Sequence, residues 1–336
     1  MRVWLMRTDA EAGAPWFLVA TAGLALAVAP LFGCGGGGGG GGSDAAVTAD
    51  AAPSGPDAGF NEAACPSSYG PSSVSSTFSI AGSDVGFDLD GDNMVDNNIA
   101  TSVVATLINS SLSSSLNDGS LRTVTELRDF TAVGTDDSSV TVVLYGGLDS
   151  DNPANTADDF TGDEGYYFDR VWVAPADCAP VAPIAATYTG GVIDGTADSA
   201  KLYISSLGGF VDFARVHLSA TIEADTAGVK TASGTPALFG GAIPACSLNK
   251  GSGSIGASAL EDVVRVGAIQ PDIDLDGDGL ETVQAQAGDG IISCTDGDGT
   301  VIMGADCGCD PRIADGFSIT FKIDLVGATV LGPAPQ

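Results

Sequence analysis

Hydrophobic and polar residues alternate with a period of two through Ser75–Ile80, Ser138–Tyr145, Tyr166–Val173, Ala200–Ser205, Arg215–Ile222 and Phe317–Leu325, and these runs are rich in β-branched and aromatic side chains. That is the pattern of strands with one buried face. Gly- and Asp-rich turns punctuate them, so the chain is expected to be mainly β, an antiparallel β-sandwich. One segment breaks the alternation. Asn98–Leu116 carries Ile99, Val103, Leu107 and Ile108 at helical spacing behind Asn97 or Asn98 as a cap, which predicts a helix; a second short helix is expected over Ser258–Val266. The strand signals span a length near that at which a single core divides. Two β modules, 65–183 and 184–336, meeting near Pro180–Pro183, are therefore expected, with one large sandwich carrying long loops as the alternative.

The first residues change the picture. Arg2 and Arg7 precede an apolar run, Trp16–Phe32, that ends in Leu31-Phe-Gly-Cys34. Residues 1–33 read as a lipoprotein signal peptide, with Cys34 as the lipidated first residue of the mature chain. The alternative is an uncleaved anchor helix, but a run of 17 residues interrupted by Pro30 is at the short limit for a span. Eight glycines follow at 35–42, and residues 34–64 have the composition of a flexible tether. Gly35, rather than an aspartate, after the cysteine points to the outer membrane or cell surface. Among the 336 residues, 43 acidic side chains stand against 12 basic ones, a net charge of -31. Such a surface excludes a basic face for nucleic acid or anionic lipid. Six cysteines remain beyond Cys34, an even number suited to disulfides in an exported chain. Proximity within each half predicts Cys65–Cys178 and pairing of Cys246, Cys294, Cys307 and Cys309 among themselves. Zinc is poorly served, because Cys307-Gly-Cys309 lacks the usual spacer and the single histidine is distant.

The acid is not spread evenly. Phe87-Asp-Leu-Asp-Gly-Asp-Asn-Met-Val-Asp96 places Asp88, Asp90 and Asp92 at positions 1, 3 and 5 of a calcium loop, Met94 at position 7 for its carbonyl and Asp96 at position 9. Asn93 stands at the turn, where asparagine tolerates the left-handed conformation. Position 12 is Ile99, so the stretch resembles the shortened D-x-D-x-D-x-x-x-D loops of dockerins and thrombospondin type 3 repeats rather than a complete EF-hand. A second loop aligns Asp274, Asp276 and Asp278 with Gly279 at the turn and Leu280 for its carbonyl, and Glu281 or Asp272 is expected to complete the shell. Like charges so close repel unless a cation is shared, and calcium is the expected cofactor. The alternative is an exposed acidic turn. Cys294–Thr300 reads as an Asp-Gly hairpin turn, and Leu148–Asp159 offers Asp149, Asp151 and Asp159 without fixed spacing.

Taken together, Leu31-Phe-Gly-Cys34 with its glycine tract, the 87–98 loop, Leu238–Pro244, Asp274–Glu281, Cys294–Thr300 and Ala314–Phe321 resemble uncharacterised secreted lipoproteins of myxobacterial type. The resemblance spans most of the mature chain. It implies export and surface attachment and carries no activity with it.

Catalytic groups do not converge. His217 lies on the face opposite Val216, Leu218, Ala220 and Ile222, as a surface strand residue does, and no G-x-S-x-G elbow presents a serine. Ser247–Lys250, Ser150–Asn152 and Lys230–Ala232 match fragments of the penicillin-binding motifs in the wrong order. A secreted hydrolase working through paired carboxylates stays open, since their separation is a three-dimensional fact. So does glycan binding, because Tyr166, Phe168, Arg170 and Trp172 would share one strand face beside an acidic loop, with Tyr166 and Trp172 as ligand contacts; the alternative for these aromatics is the core. The leading expectation is a lipid-anchored, calcium-stabilised envelope protein with a structural or adhesive role, a membrane partner through its lipid, and a glycan or surface protein as ligand.

Overall fold

A computed structural model describes residues 60–150, 156, 158–204, 209–248, 269–280, 282–286, 290–296, 298–304 and 315–335. The expected signal peptide, Cys34, the glycine tract and the helix at Ser258–Val266 lie outside these residues. The chain forms β1 (Ser72–Ile80), α1 (Val103–Asn117), β2 (Thr123–Arg128), β3 (Asp137–Asp149), β4 (Gly165–Phe168), β5 (Ile184–Thr189), β6 (Val192–Ile204), β7 (Gly209–Asp225), β8 (Gly228–Thr231), β9 (Ala237–Pro244), β10 (Thr282–Gln286), β11 (Gly290–Thr295), β12 (Val301–Met303) and β13 (Gly316–Pro333). It is mainly β, with a large sheet of ten strands and a small sheet of three, β10-β11-β12, in a sandwich-like fold.

The long strands are shared between neighbours. β3 pairs with β2 along one edge, while its other edge takes β5 at Asp137–Val142 and β4 at Gly147–Asp149. β13 pairs with β9 through Gly316–Ile323 and with β1 through Phe321–Ala328, so Phe321 faces Phe239 on one side and Ile80 on the other. Through these shared edges eight strands, β1-β2-β3-β5-β6-β7-β9-β13, close antiparallel upon themselves. Closure leaves no open edge along that ring. β4 joins β3 to the end of β13 and runs parallel to the latter.

This pairing bears on the expected boundary. Strands on both sides of residue 183 belong to one sheet, and residues Ser54–Gln336 form one compact unit. Pro180–Pro183 is a connection within that unit. The main core gathers Phe78, Ile184, Val211, Phe213, Phe239, Phe317 and Phe321, and a second cluster holds Val124, Tyr145, Tyr166, Phe168 and Trp172.

The helix begins later than the sequence pattern predicts. Ile99–Thr101 is a 3-10 turn, and α1 follows it with Ser102 at its N-cap. Ile108, Leu112 and Leu116 then recur every four residues and are buried in the main core. Asn97 is a buried clamp rather than a cap: its Nδ2 donates to Val85 O at 3.1 Å and its Oδ1 accepts from Thr320 N at 3.0 Å. The expected strand Tyr166–Val173 stops at Phe168, because Asp169 Oδ1 accepts from Val171 N at 3.1 Å and closes a 3-10 turn over Arg170–Trp172. Cys65 and Cys178 form a disulfide, as their positions predicted, and Cys246 and Cys294 are disulfide-bonded too.

Candidate metal centre

The first acidic loop lies between Phe87 and Asp96, which form an isolated antiparallel bridge with Asp96 N donating to Phe87 O at 2.8 Å. Inside it, Asp88 organises the backbone. Its Oδ1 accepts from Gly91 N at 2.6 Å and its Oδ2 from Asn93 N at 2.8 Å. Asp90 Oδ1 accepts from Asp92 N at 3.0 Å. Such a path requires left-handed residues, and Gly91 and Asn93 supply them at φ 89° and 68°.

The second loop repeats this scheme. Asp274 Oδ1 accepts from Gly277 N at 2.5 Å and Oδ2 from Gly279 N at 3.1 Å, while Asp276 Oδ1 accepts from Asp278 N at 3.3 Å. Gly277 and Gly279 take φ 87° and 118°. Aspartates at positions 1 and 3 thus do the same work in two stretches far apart in sequence.

Carboxylate oxygens of Asp88, Asp90 and Asp96 lie within 4.8 Å of one another, and so do those of Asp274, Asp276 and Asp315. Calcium holds its oxygens at about 2.3–2.6 Å, so two ligands of one ion are at most about 5 Å apart. Both triads meet that limit with hard oxygen donors alone. Neither contains position 5: Asp92 Oδ1 accepts from Met94 N at 2.7 Å, and Asp278 lies outside its triad. Met94 and Leu280, expected to contribute carbonyls, have exposed side chains. Glu281 lies outside the described residues. Asp272, the other residue expected to complete the second shell, instead accepts from Ser318 N at 2.8 Å and from Ser318 Oγ.

Asp315 was not among the expected ligands. It is buried at the entry to β13, where Ile273 and Gly316 exchange hydrogen bonds of 2.9 and 3.1 Å and bring the two segments together. No local spacing announces it; only the pairing of two distant segments does.

Burial pushes the carboxyls of Asp96 and Asp272 up, against hydrogen bonds that favour their charged forms, and neighbouring Asp90, Asp272 and Asp92 raise Asp96 further. Burial also raises Asp276, with Asp278 and Asp274 adding repulsion. Arg215 joins the loops. Its guanidinium donates to Leu89 O at 3.2 Å and to Asp274 O at 2.5 Å, from a residue at φ 49° within the irregular stretch of β7. His217, two residues on, stacks on Phe87 at 4.0 Å and lies 3.3 Å from Asp194, so it is half-buried at the base of the first loop rather than a plain surface residue.

The remaining acidic stretches are different in kind. Asp296 and Thr300 close the turn between β11 and β12, the hairpin expected there. Asp149 and Asp159 bind the buried Arg122, at 3.4 and 2.7 Å, in place of a metal; Asp151 lies outside the described residues. The aromatic strip is not a platform. Tyr166 and Trp172 are only 1% and 5% exposed, since the strand ends between them and both pack into the second core cluster.

No known protein family matches this sequence, no curated protein matches it, and no solved structure matches the fold.

Proposed function

We propose that this chain is a lipid-anchored, calcium-stabilised protein of the cell envelope with a structural or adhesive role, held at the outer membrane or cell surface through Cys34 and its glycine tether. The calcium part rests above all on the repeated bonding scheme of the two loops, in which the aspartate at position 1 accepts from the N–H groups of positions 4 and 6. In each loop two aspartates so placed lie close to a third carboxylate, Asp96 in the first and Asp315 from the entry to β13 in the second, a cost in repulsion that a shared dication offsets. Calcium suits such oxygen-only shells, whereas magnesium demands near-ideal octahedral geometry and gives up its waters reluctantly.

Calorimetric titration of the folded protein with calcium tests this reading. Two binding events are expected. Asp88→Ala should abolish one and Asp315→Asn the other, and a flat titration of the wild-type protein would refute the calcium assignment. The anchor rests on Leu31-Phe-Gly-Cys34 ahead of the glycine tract. Cys34→Ser should leave an unprocessed precursor that no longer enters the detergent phase; a variant that matures and partitions like the wild type contradicts lipidation.

A further inference from the structure

Three strand ends meet at β4 and present an exposed apolar face. Leu148 of β3 stands directly opposite Tyr167 of β4, while Tyr166 and Phe168 turn the other way into the second core cluster. Opposite residues of an antiparallel pair share a face, so Leu148 and the half-buried Tyr167 both point outward. On the far side of β4 the ladder with β13 slips between Val330 and Gly332, and Leu331 lies over Gly165, its Cδ1 3.0 Å from where a Cβ there would stand. Gly165 and Tyr167 are two apart on one strand, which puts Leu331 on that same outer face. Val171 borders the cleft that Leu148 also lines. Leu148, Val171 and Leu331 are 45%, 51% and 45% exposed. A contiguous apolar face of this kind, on a chain of net charge -31, marks a contact surface.

The N-terminal segment emerges beside this face. The Arg170 guanidinium stands 4.8 Å over the Phe60 ring, and Arg170 immediately precedes Val171. From Phe60 the 25 residues Gly59 to Gly35 lead back to Cys34. A glycine-rich coil of that length spans about 25–30 Å. A lipid at Cys34 therefore keeps the face within reach of a bilayer at the high effective concentration of a short linker. An apolar contact too weak to recruit a free protein is then populated. The rim selects the occupant. Glu164 and Asp169 flank β4 on either side, so an anionic lipid, or a second copy bringing the same acidic rim, meets like charge, whereas a zwitterionic headgroup does not.

We infer that this face rests on the zwitterionic phospholipid surface of the membrane that holds Cys34, with Leu148, Tyr167, Val171 and Leu331 at the boundary between headgroups and acyl chains. The inference rests on the anchor reading and is independent of the calcium assignment. It also orients the molecule. β13 begins beside the second acidic loop and ends at this face 18 residues later, so the acidic loops are held away from the bilayer, where a surface partner can reach them.

Tryptophans placed at the two ends of the body read the contact. The lipidated protein carrying Leu148→Trp, or Val95→Trp at the first acidic loop, would be reconstituted into vesicles of phosphatidylethanolamine and phosphatidylcholine containing phosphatidylcholine spin-labelled near the top of its acyl chain. Trp172 is a constant background in both. Leu148→Trp is expected to be quenched beyond the wild-type level, and Val95→Trp is not. Adding Val171→Asp and Leu331→Asp, at two exposed side chains, should abolish the excess quenching while the protein still floats with the vesicles. Val171→Ser with Leu331→Ser should reduce it with an unchanged melt, which covers a disturbance of the fold by the paired aspartates. Failure of the wild type to float defeats the anchor reading and this inference with it. Flotation with Leu148→Trp quenched no more than Val95→Trp overturns the inference alone, as does quenching that survives both pairs of substitutions. Quenching that disappears on dilution of protein in lipid, with cross-linked dimers at high density, would assign the face to a second copy and overturn it too.

Discussion

Asp88 and Asp274 each fold a loop around one carboxylate by accepting from backbone N–H groups three and five residues on, and the local spacing that suggested a metal loop marked these stretches because those partners lie within five residues. Position 5 stands outside both triads, with Asp92 accepting from Met94 N and Asp278 lying beside Asp274, Asp276 and Asp315 rather than among them. Asp315 and Arg215 were invisible for the opposite reason, as their partners lie far away in sequence. Distant partners matter at Asp225 as well. Burial opposes its ionisation, but the N–H groups of Gly327 and Thr226, together with Lys230, outweigh it and hold the carboxyl below its ordinary value of 3.8. A folded-state acid stronger than the unfolded one contributes stability that is present above the ordinary value and lost as pH falls through the lower, folded one. Asp225→Asn should therefore melt below the wild type at pH 7, and the gap should close on acidification below about pH 4. A gap that persists unchanged into strong acid would show that the ionised form is not what holds Gly327.

Among the elements, alternation located six strands, β1, β3, β4, β6, β7 and β13, and left shorter ones such as β2, β5, β8 and β9 unmarked, while α1 was legible from the recurrence of apolar residues on one side. The errors fell where a polar side chain competes with the ladder. Asp169 ends β4 early by bonding two residues ahead, and the asparagines expected to cap α1 are engaged elsewhere, Asn97 with Val85 O and Thr320 N and Asn98 with Gln270 O, so the helix begins only after Ser102. That turn after β4 is also where the N-terminal segment is fastened. Asn61 N donates to Pro175 O at 2.8 Å, the Arg170 guanidinium stands 4.8 Å over the Phe60 ring, and Cys65 is bonded to Cys178 across a separation of 113 residues. Any pull from a tether ahead of residue 60 would reach the body through this fastening before it reached β1. Replacing both cysteines by alanine should lower unfolding free energy by about 2–4 kcal/mol, with the denaturant midpoint as the readout. An unchanged midpoint would mean that the surrounding contacts hold the segment without the bond.

At the scale of the whole molecule, the ring of eight strands explains why the two acidic loops lie together although the sequence separates them widely. β13 threads between β1 and β9, its first residues pair with the 272–273 segment, and β7 brings Arg215 to both loops. Closure of this kind depends on pairings such as β3–β5 and β1–β13, between segments whose local patterns are alike, so the sequence pointed to a sandwich without revealing that both halves share one sheet. It also means that a cation bound at the loops would brace the entry to β13 and the bend of β7 together, coupling metal binding to the stability of the whole body. Binding to the folded state alone adds RT ln(1 + [L]/Kd), about 2.7 kcal/mol at a hundredfold excess over Kd. The most direct test is the thermal melt of the folded protein with calcium and with chelator, for wild type, Asp90→Ala and Asp136→Ala. Asp136 sits outside the loops, where its Oδ1 accepts from Gly190 N at 2.9 Å, so its replacement lowers the baseline alone. Calcium is expected to raise the wild-type and Asp136→Ala melts alike and to raise that of Asp90→Ala much less, whereas a wild-type melt indifferent to calcium would contradict the account.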